Sequence, residues 1–183
     1  MPYLKSLPDD AVLFQAFQQY PEYSRPLLDY HELVMRGPSP FTVAQRELIA
    51  AYVSGVNACG YCHGVHTATA EEFGVAPGLL SAALEDLDGA PVEENLKPVL
   101  RYAGKLTATP AKVTQSDADA VFAAGWDEVA LYHTILVCAL FNFMNRLVDG
   151  LGIRADRDYY AMSAARLRRI GYAGLVELLD ESR

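Results

Sequence analysis

The chain has 183 residues, 51% of them hydrophobic, and a formal net charge of −8. A chain of this length forms one domain, 1–183, and buries about 70% of the surface that its unfolded form exposes. Because phosphate binding requires a basic face, the acidic balance argues against a nucleic-acid partner, and the large apolar share favours extra apolar surface such as an oligomer interface.

The amino terminus has no apolar run of the kind found in signal peptides, and we expect no segment with the roughly 18 apolar residues of a membrane span. The sequence therefore predicts a cytoplasmic protein without a membrane partner. Structural disulfides are rare in a reducing compartment, so the close pair Cys59 and Cys62 favours catalysis or metal binding. Cys138, in apolar surroundings, is predicted to be a small core residue.

Helical periodicity dominates the sequence, and no alternating strand pattern is present. The predicted fold is all-α, with helices joined by short Gly and Pro turns. A capping box at Thr42 opens the helix that carries Glu47, and Asn57 is the predicted cap of the next helix. The predicted helices are 9–20, 26–35, 42–53, 57–73, 77–87, 92–107, a short helix from Ser116, 126–148, 156–170 and 172–179.

The pattern also predicts a weak internal duplication. When Glu47 is aligned with Glu128, each begins an apolar helix that is followed by a second amphipathic stretch. On this alignment the chemistry lies only in the first half. The motif-bearing core is 42–75, and 92–180 is the second helical half.

The most informative segment is 59–66, Cys-Gly-Tyr-Cys-His-Gly-Val-His. Two cysteines separated by two residues can form a reversible disulfide. On a helix, Cys59, Cys62, His63 and His66 fall on one stripe. We expect Cys59 in the first turn, where the helix dipole lowers its pKa, and Cys62 further in and less exposed. His66 is placed to exchange a proton with Cys62.

A carboxylate on the preceding helix adds to this group. Antiparallel packing of the two helices would bring Glu47 back toward the cysteines, and burial between apolar helices would raise its pKa so that it can relay a proton. The alternative is a solvated Glu47 on the outer face of the helix.

Two cofactor alternatives fit the same residues. Cys59 to His63 matches the attachment pattern of c-type haem, with His63 as the axial ligand, although haem attachment requires export. The two cysteines and two histidines also form a zinc ligand set, but four ligands on one short helix cannot readily surround a tetrahedral ion. We therefore expect neither a metal nor a cofactor.

The spacing of Glu47, Cys59, Cys62 and His66 resembles the signature of the AhpD-like alkylhydroperoxidases, within the carboxymuconolactone decarboxylase-like superfamily. The likeness extends over 42–75, and the segment 141–152 is similar to the tail of the peroxidase-related branch. The resemblance implies an AhpD-like helical bundle that forms a homo-oligomer (dimer, trimer or hexamer). It also implies reduction of hydroperoxides by a thiol pair, without haem, flavin or metal.

The resemblance also implies a role for each residue. Cys62 would be the attacking thiolate and become a sulfenic acid, and Cys59 would condense with it to form the disulfide. An external dithiol or protein reductant would restore the pair, entering at Cys59. Glu47 and His66 would relay the protons.

One position departs from that pattern. The best-known members carry a second histidine directly before the second cysteine, where this chain has Tyr61, a poor base near neutral pH. Tyr61 and His63 are therefore auxiliary candidates. Either His63 compensates for the missing histidine, or it is a surface or capping histidine with no catalytic part. The alternatives are a carboxymuconolactone decarboxylase-like enzyme acting on a small lactone acid, a thiol redox regulator, and a non-catalytic binding protein.

Overall fold

The computed structural model describes residues 1–181, and within them the fold is all-α, as predicted, with no strand. The last two residues of the predicted domain 1–183 lie outside this range. A 3-10 turn, Pro110–Lys112, precedes the seventh helix. The helices are α1 (Leu13–Gln19), α2 (Pro21–Arg36), α3 (Val43–Val56), α4 (Gly60–Glu72), α5 (Leu79–Glu85), α6 (Lys97–Ala108), α7 (Gln115–Ala123), α8 (Glu128–Leu151), α9 (Arg157–Ile170) and α10 (Ala173–Glu181).

The core is built around α3, which packs against α4, α5, α6 and α8. Every residue from Arg46 to Ser54 is buried, as expected for a helix that is covered on all sides. The predicted capping box is present: the Thr42 hydroxyl accepts from the Gln45 amide, and the Gln45 side chain accepts from the Thr42 amide. The start of the helix that carries Glu47 is thus fixed by local sequence.

Several predicted helix starts are wrong. α2 begins at Pro21, since a proline at the first helical position needs no amide hydrogen, and Pro26 lies inside the helix. The cap of α4 is Cys59, because the Asn57 side chain donates instead to two amides of α8, those of Asn142 and Asn145. The predicted starts of α1, α5 and α6 also fall too early.

The segments compared as a duplication differ in structure. Residues 43–72 form two helices separated by a short break, whereas Glu128–Leu151 is one continuous helix of 24 residues. The two segments are therefore not seen as a repeated helical pair. Their likeness is that of apolar helical periodicity.

α8 is also more apolar than the sequence analysis allowed. Among residues 1–181 it is the one helix whose length and composition suffice to cross a membrane. One side of α8 packs against α3 and α6, and polar residues such as Thr134 and Asn145 are buried there. This is the position of a central core helix.

Candidate active site

The turn between α3 and α4 sets the cysteines in place. Ala58 has φ of 54°, the only positive φ of a non-glycine residue among those described. The left-handed conformation lets the Cys59 amide donate to the Ser54 carbonyl at 3.0 Å. The chain then reverses, and α4 runs antiparallel to α3, as the contacts of Glu47 with His66 and of Ala51 with His63 require.

Both motif cysteines are buried free thiols, Cys59 fully so and Cys62 with 3% of its surface exposed. The prediction that Cys62 is the less exposed of the two is therefore wrong. Cys62 lines an internal cavity, whereas Cys59 does not. Of the two motif cysteines, only Cys62 can therefore contact a molecule in the cavity.

The pKa values of the two thiols are shifted in opposite directions. The pKa of Cys59 is lowered, chiefly because the Cys62 thiol donates a hydrogen bond to it, aided by the Cys62 amide and opposed by burial. The pKa of Cys62 is raised, chiefly because it is the donor in that pair and is buried. The predicted low pKa of Cys59 thus agrees in direction, with the open turn of the helix supplying the amide donor.

Two residues of α8 complete the surroundings of the thiols. Asn145 lowers the pKa of Cys62 and so favours its thiolate, whereas Asp149 raises the pKa of Cys59 and opposes ionisation there. Sequence reasoning missed both. The signal was the spacing of Asn142, Asn145 and Asp149, three polar residues on one side of an otherwise apolar helix.

Glu47 is completely buried, which rules out a solvated carboxylate on the outer face. Its Oε2 lies 2.6 Å from Nδ1 of His66, and its Oε1 lies 2.7 Å from Nη1 of Arg36. Burial raises the pKa of Glu47, but the attraction of His66 and Arg36 outweighs it, so the net shift is downward. The predicted rise is wrong, because no sequence pattern connects Arg36 with Glu47 and the effect of its guanidinium was not expected.

The carboxylate of Glu47 determines the state of His66. A carboxylate only accepts, so Nδ1 of His66 carries a hydrogen and Nε2 is the nitrogen available for proton exchange. The ring stands edge-on to Phe141 at a centroid distance of 4.4 Å and lines the same cavity as Cys62. The structure thus brings together Glu47, His66 and Cys62, as predicted.

The two auxiliary candidates, His63 and Tyr61, differ in their position relative to the cavity. His63 turns away from the cavity, and its Nδ1 lies 3.0 Å from the carbonyl oxygen of Ala51 on α3. The expectation that His63 shares the reactive stripe is wrong, because its ring is held by a backbone carbonyl. Of the two alternatives for His63, its position outside the cavity favours a histidine with no catalytic part. Tyr61 does line the cavity, and its hydroxyl lies 2.9 Å from that of Tyr159. Burial raises the pKa of Tyr61, which keeps it protonated.

The cavity has a volume of about 60 Å³ and lies between α1, α2, α4, α8, α9 and α10. Its walls are mainly apolar. The polar or ionisable side chains that line it are His31, Tyr61, Cys62, His66, Tyr159, Ser163, Arg166 and Tyr172. His31 comes from α2 and Tyr172 from the turn between α9 and α10, both outside the motif, where sequence spacing gives no signal.

The cofactor alternatives do not fit these residues. Within residues 1–181, no three His, Cys, Asp or Glu side chains are placed to hold a metal ion, because His63 turns away and His66 pairs with Glu47. A cavity of about 60 Å³ is also far below the ~300 Å³ at which cofactor pockets begin, so a haem cannot enter beside Cys62.

Comparison with solved structures places the fold among AhpD-like proteins. A peroxidase-related protein from Silicibacter sp. TM1040 is 23% identical, with a TM-score of 0.75, over 81% of this chain and 78% of that one. An AhpD-core, peroxidase-related protein from Ralstonia eutropha JMP134 is 21% identical, with a TM-score of 0.74 and the same coverage. A protein of unknown function from Agrobacterium tumefaciens is 15% identical, with a TM-score of 0.66, over 77% of this chain and 95% of that one.

Sequence comparison adds the family. Residues 21–101 match the model of the Carboxymuconolactone decarboxylase family, a segment that includes Glu47, both motif cysteines and His66. No curated protein is significantly similar in sequence. The predicted resemblance to the carboxymuconolactone decarboxylase family is thus confirmed over this segment, and the fold of the chain is AhpD-like.

Proposed function

We propose that this protein is a thiol-dependent hydroperoxide reductase with a redox-active Cys59–Cys62 disulfide. The observation that carries the proposal is the shared cavity of Cys62 and His66, with Glu47 buried behind the imidazole. A thiol, a proton carrier and a fixed counter-charge are the groups that reduction of an O–O bond requires.

The first step uses Cys62. The raised pKa of Cys62 keeps it a thiol at rest. When the hydroperoxide enters, the Cys62 proton moves to Nε2 of His66, and the imidazolium is stabilised by the Glu47 carboxylate on Nδ1. The thiolate attacks the terminal oxygen of ROOH and forms the S–O bond of a sulfenic acid as the O–O bond breaks. The leaving alkoxide takes the proton from His66, so the products are ROH and the sulfenic acid.

The second step closes the disulfide. Cys59 sits at the cap of α4, and its sulfur already accepts a hydrogen bond from the Cys62 thiol. It displaces the sulfenic hydroxyl, which leaves as water with the thiol proton. Two thiols are oxidised and one hydroperoxide is reduced. An external dithiol or protein reductant then restores the pair.

Glu47 acts here by remaining ionised. The low pKa that Arg36 and His66 give it makes proton transfer to the carboxylate unfavourable. It therefore orients His66 and holds its tautomer, as the acid of a catalytic triad does. In this proposal His66 carries the proton by itself, whereas the resemblance implied a relay through both Glu47 and His66.

The volume of the cavity limits the substrate. About 60 Å³ accommodates hydrogen peroxide or the peroxide end of a small organic hydroperoxide, since pockets for drug-sized ligands begin at ~300 Å³. A larger hydroperoxide requires the cavity walls to move.

The alternative on a small lactone acid has one supporting observation. Arg166 lines the cavity, and its Nε is buried without a hydrogen-bond partner, so it can bind a carboxylate. The small volume of the cavity counts against a ring-sized substrate. Turnover of a lactone acid by the Cys62→Ser variant would favour this activity over the peroxidase.

Anaerobic stopped-flow mixing of the reduced protein with cumene hydroperoxide or hydrogen peroxide, followed by thiol counting and peptide mapping, tests the proposal. We expect loss of two thiols per chain and a Cys59–Cys62 disulfide, with Cys138 still reduced. Oxidation without turnover in the presence of any dithiol would favour the redox regulator. No loss of thiols would overturn the proposal.

The partners and location belong to the same proposal: a cytoplasmic homo-oligomer without a nucleic-acid or membrane partner. Large apolar side chains stand exposed on α2 and α8, which supports association with a second copy; they are Tyr23, Leu33, Val129, Tyr132 and Phe143. Sedimentation velocity would test the oligomer, and a monomer at all concentrations would contradict it.

A further inference from the structure

His31 introduces a second imidazole to the thiol cavity. It lies on α2, outside the cysteine motif, with 3% of its surface exposed. Its Nδ1 is 2.7 Å from the carbonyl oxygen of Leu27, so Nδ1 carries the hydrogen and Nε2 bears a lone pair. Nε2 has no hydrogen bond to any residue that the structure describes. The ring lines the cavity together with Cys62 and His66.

The surroundings keep this imidazole neutral. Burial lowers the pKa of His31 to about 4, with a smaller contribution of the same sign from His66. The Leu27 carbonyl and the Glu47 carboxylate act in the opposite direction but do not offset burial. Near neutral pH, Nε2 is therefore a hydrogen-bond acceptor that does not compete with His66 for protons.

Tyr172 provides the complementary donor. Its ring is 5.1 Å from that of His31, centroid to centroid, and it lines the same cavity. Its hydroxyl is buried and has no hydrogen-bond partner among residues 1–181, which is costly for a polar group unless a ligand satisfies it. Burial raises the pKa of Tyr172 well above its ordinary value, so the hydroxyl stays protonated and can donate.

A hydroperoxide needs one acceptor and one donor, because its O–H donates and its inner oxygen accepts. We propose that His31 and Tyr172 form the subsite that holds the O–O–H group against Cys62. Nε2 of His31 accepts from the terminal O–H, and the Tyr172 hydroxyl donates to the oxygen that leaves. His31, on α2, thus supplies a second imidazole in addition to that of His66 on α4. The inference rests on the proposed function.

A second reagent distinguishes loss of the subsite from a general change in the reactivity of the Cys62 thiol. Cys62 also reacts with methyl methanethiosulfonate, a small reagent that has no O–H group but uses the same thiolate. Loss of the subsite slows the hydroperoxide reaction alone. A change in the ionisation of Cys62, or a distorted fold, slows both reactions.

The test measures both rate constants at Cys62, by mass spectrometry after quenching, for the wild type, His31→Leu and Tyr172→Phe. Tyr172→Phe is isosteric, so it remains informative if His31→Leu fails to fold. The matched control is His133→Leu, since His133 is also buried and bonded to a backbone carbonyl, that of Val34, but lies outside the cavity.

We expect each subsite variant to react with hydrogen peroxide about fivefold more slowly, the effect of one lost hydrogen bond, with an unchanged thiosulfonate rate and an unaffected control. Equal slowing of both reactions, or no slowing in Tyr172→Phe, would overturn the subsite while leaving the peroxidase intact. A wild type that reacts with the thiosulfonate but not with peroxide would overturn the proposed function, and this inference with it.

Discussion

Nδ1 of His66 lies 2.6 Å from a carboxylate oxygen of Glu47, which is completely buried and also pairs with Arg36. The contact joins α3 to α4 and fixes which nitrogen of His66 faces the Cys62 cavity. One buried charge therefore serves both the packing of the core and the proposed chemistry, and substitutions should affect both.

Glu47→Gln removes that charge while keeping the shape of the side chain. The Arg36 guanidinium then remains buried without a counter-charge, so we expect unfolding to become easier by about 3 kcal/mol. Oxidation of Cys62 should also slow, because the imidazolium loses its stabilising carboxylate. Urea denaturation and stopped-flow oxidation measure the two effects. Glu85→Gln, at an exposed position on α5, is the control, and equal behaviour of the two variants would refute the role of Glu47.

Substitution of each of the three cysteines by serine should have a different effect on the reaction with hydroperoxide. Cys62→Ser should abolish hydroperoxide consumption, because Cys62 is the one cysteine among residues 1–181 that lines the cavity. Cys59→Ser should accumulate a sulfenic acid at Cys62 that a dimedone probe labels. Cys138→Ser should behave as the wild type, since Cys138 is buried against Thr107 on another side of α8. Peroxide consumption that persists in Cys62→Ser contradicts the mechanism.

Tyr61→His places a histidine directly before Cys62, on the wall of the cavity. We expect peroxide-dependent oxidation to accelerate about tenfold, as an added proton carrier in the cavity allows. Tyr61→Phe is the matched control, since it also breaks the 2.9 Å contact with the Tyr159 hydroxyl but adds no base. If both variants gained equally, release of Tyr159 would be the cause and the prediction would fail.

The low pKa of His31 predicts a pH dependence of stability. The unfolded chain protonates this residue below its ordinary pKa of 6.5, whereas the folded chain does so only near about 4. Stability should therefore be full above pH 6.5 and fall by up to about 3 kcal/mol as the pH drops to 4. His133, whose pKa is also lowered by burial, adds to the fall. His31→Leu should flatten the profile, measured by denaturation from pH 7.5 to 4; an unchanged slope would show that His31 is not the source.

Acid should weaken the Glu47 cluster at lower pH. Because the pKa of Glu47 is lowered in the folded state, its contribution is complete above the ordinary value of 4.5 and is lost as the pH falls through the folded pKa. In Glu47→Gln this loss should be absent. Denaturation curves of the two proteins below pH 4.5 test the difference, and parallel curves would contradict it.

The fold and most of the site were accessible from sequence because they depend on local spacing. Apolar periodicity predicts the helices, and the capping box at Thr42 fixes the start of α3. Residues three or four apart on a helix share a face, which places Cys62 near His66. The boundary that failed at Asn57 depends on partners elsewhere, because the Asn57 side chain is engaged by α8. The start of α2 failed for a local reason, since Pro21 occupies the first helical position and Pro26 lies inside the helix.

What the sequence by itself determined is the all-α fold, the thiol pair and its spacing from Glu47 and His66. Only the tertiary structure decided the electrostatics and the exposure of the site. Arg36, His31 and Tyr172 reach the site from α2 and just before α10, at sequence separations that no periodicity connects. His66 and Arg36 lower the pKa of Glu47, and burial keeps His31 neutral. The packing of the helices leaves Cys62, rather than Cys59, at the wall of the cavity. A pKa depends on every charge and dipole within a few ångströms, and those neighbours are fixed only when the helices pack.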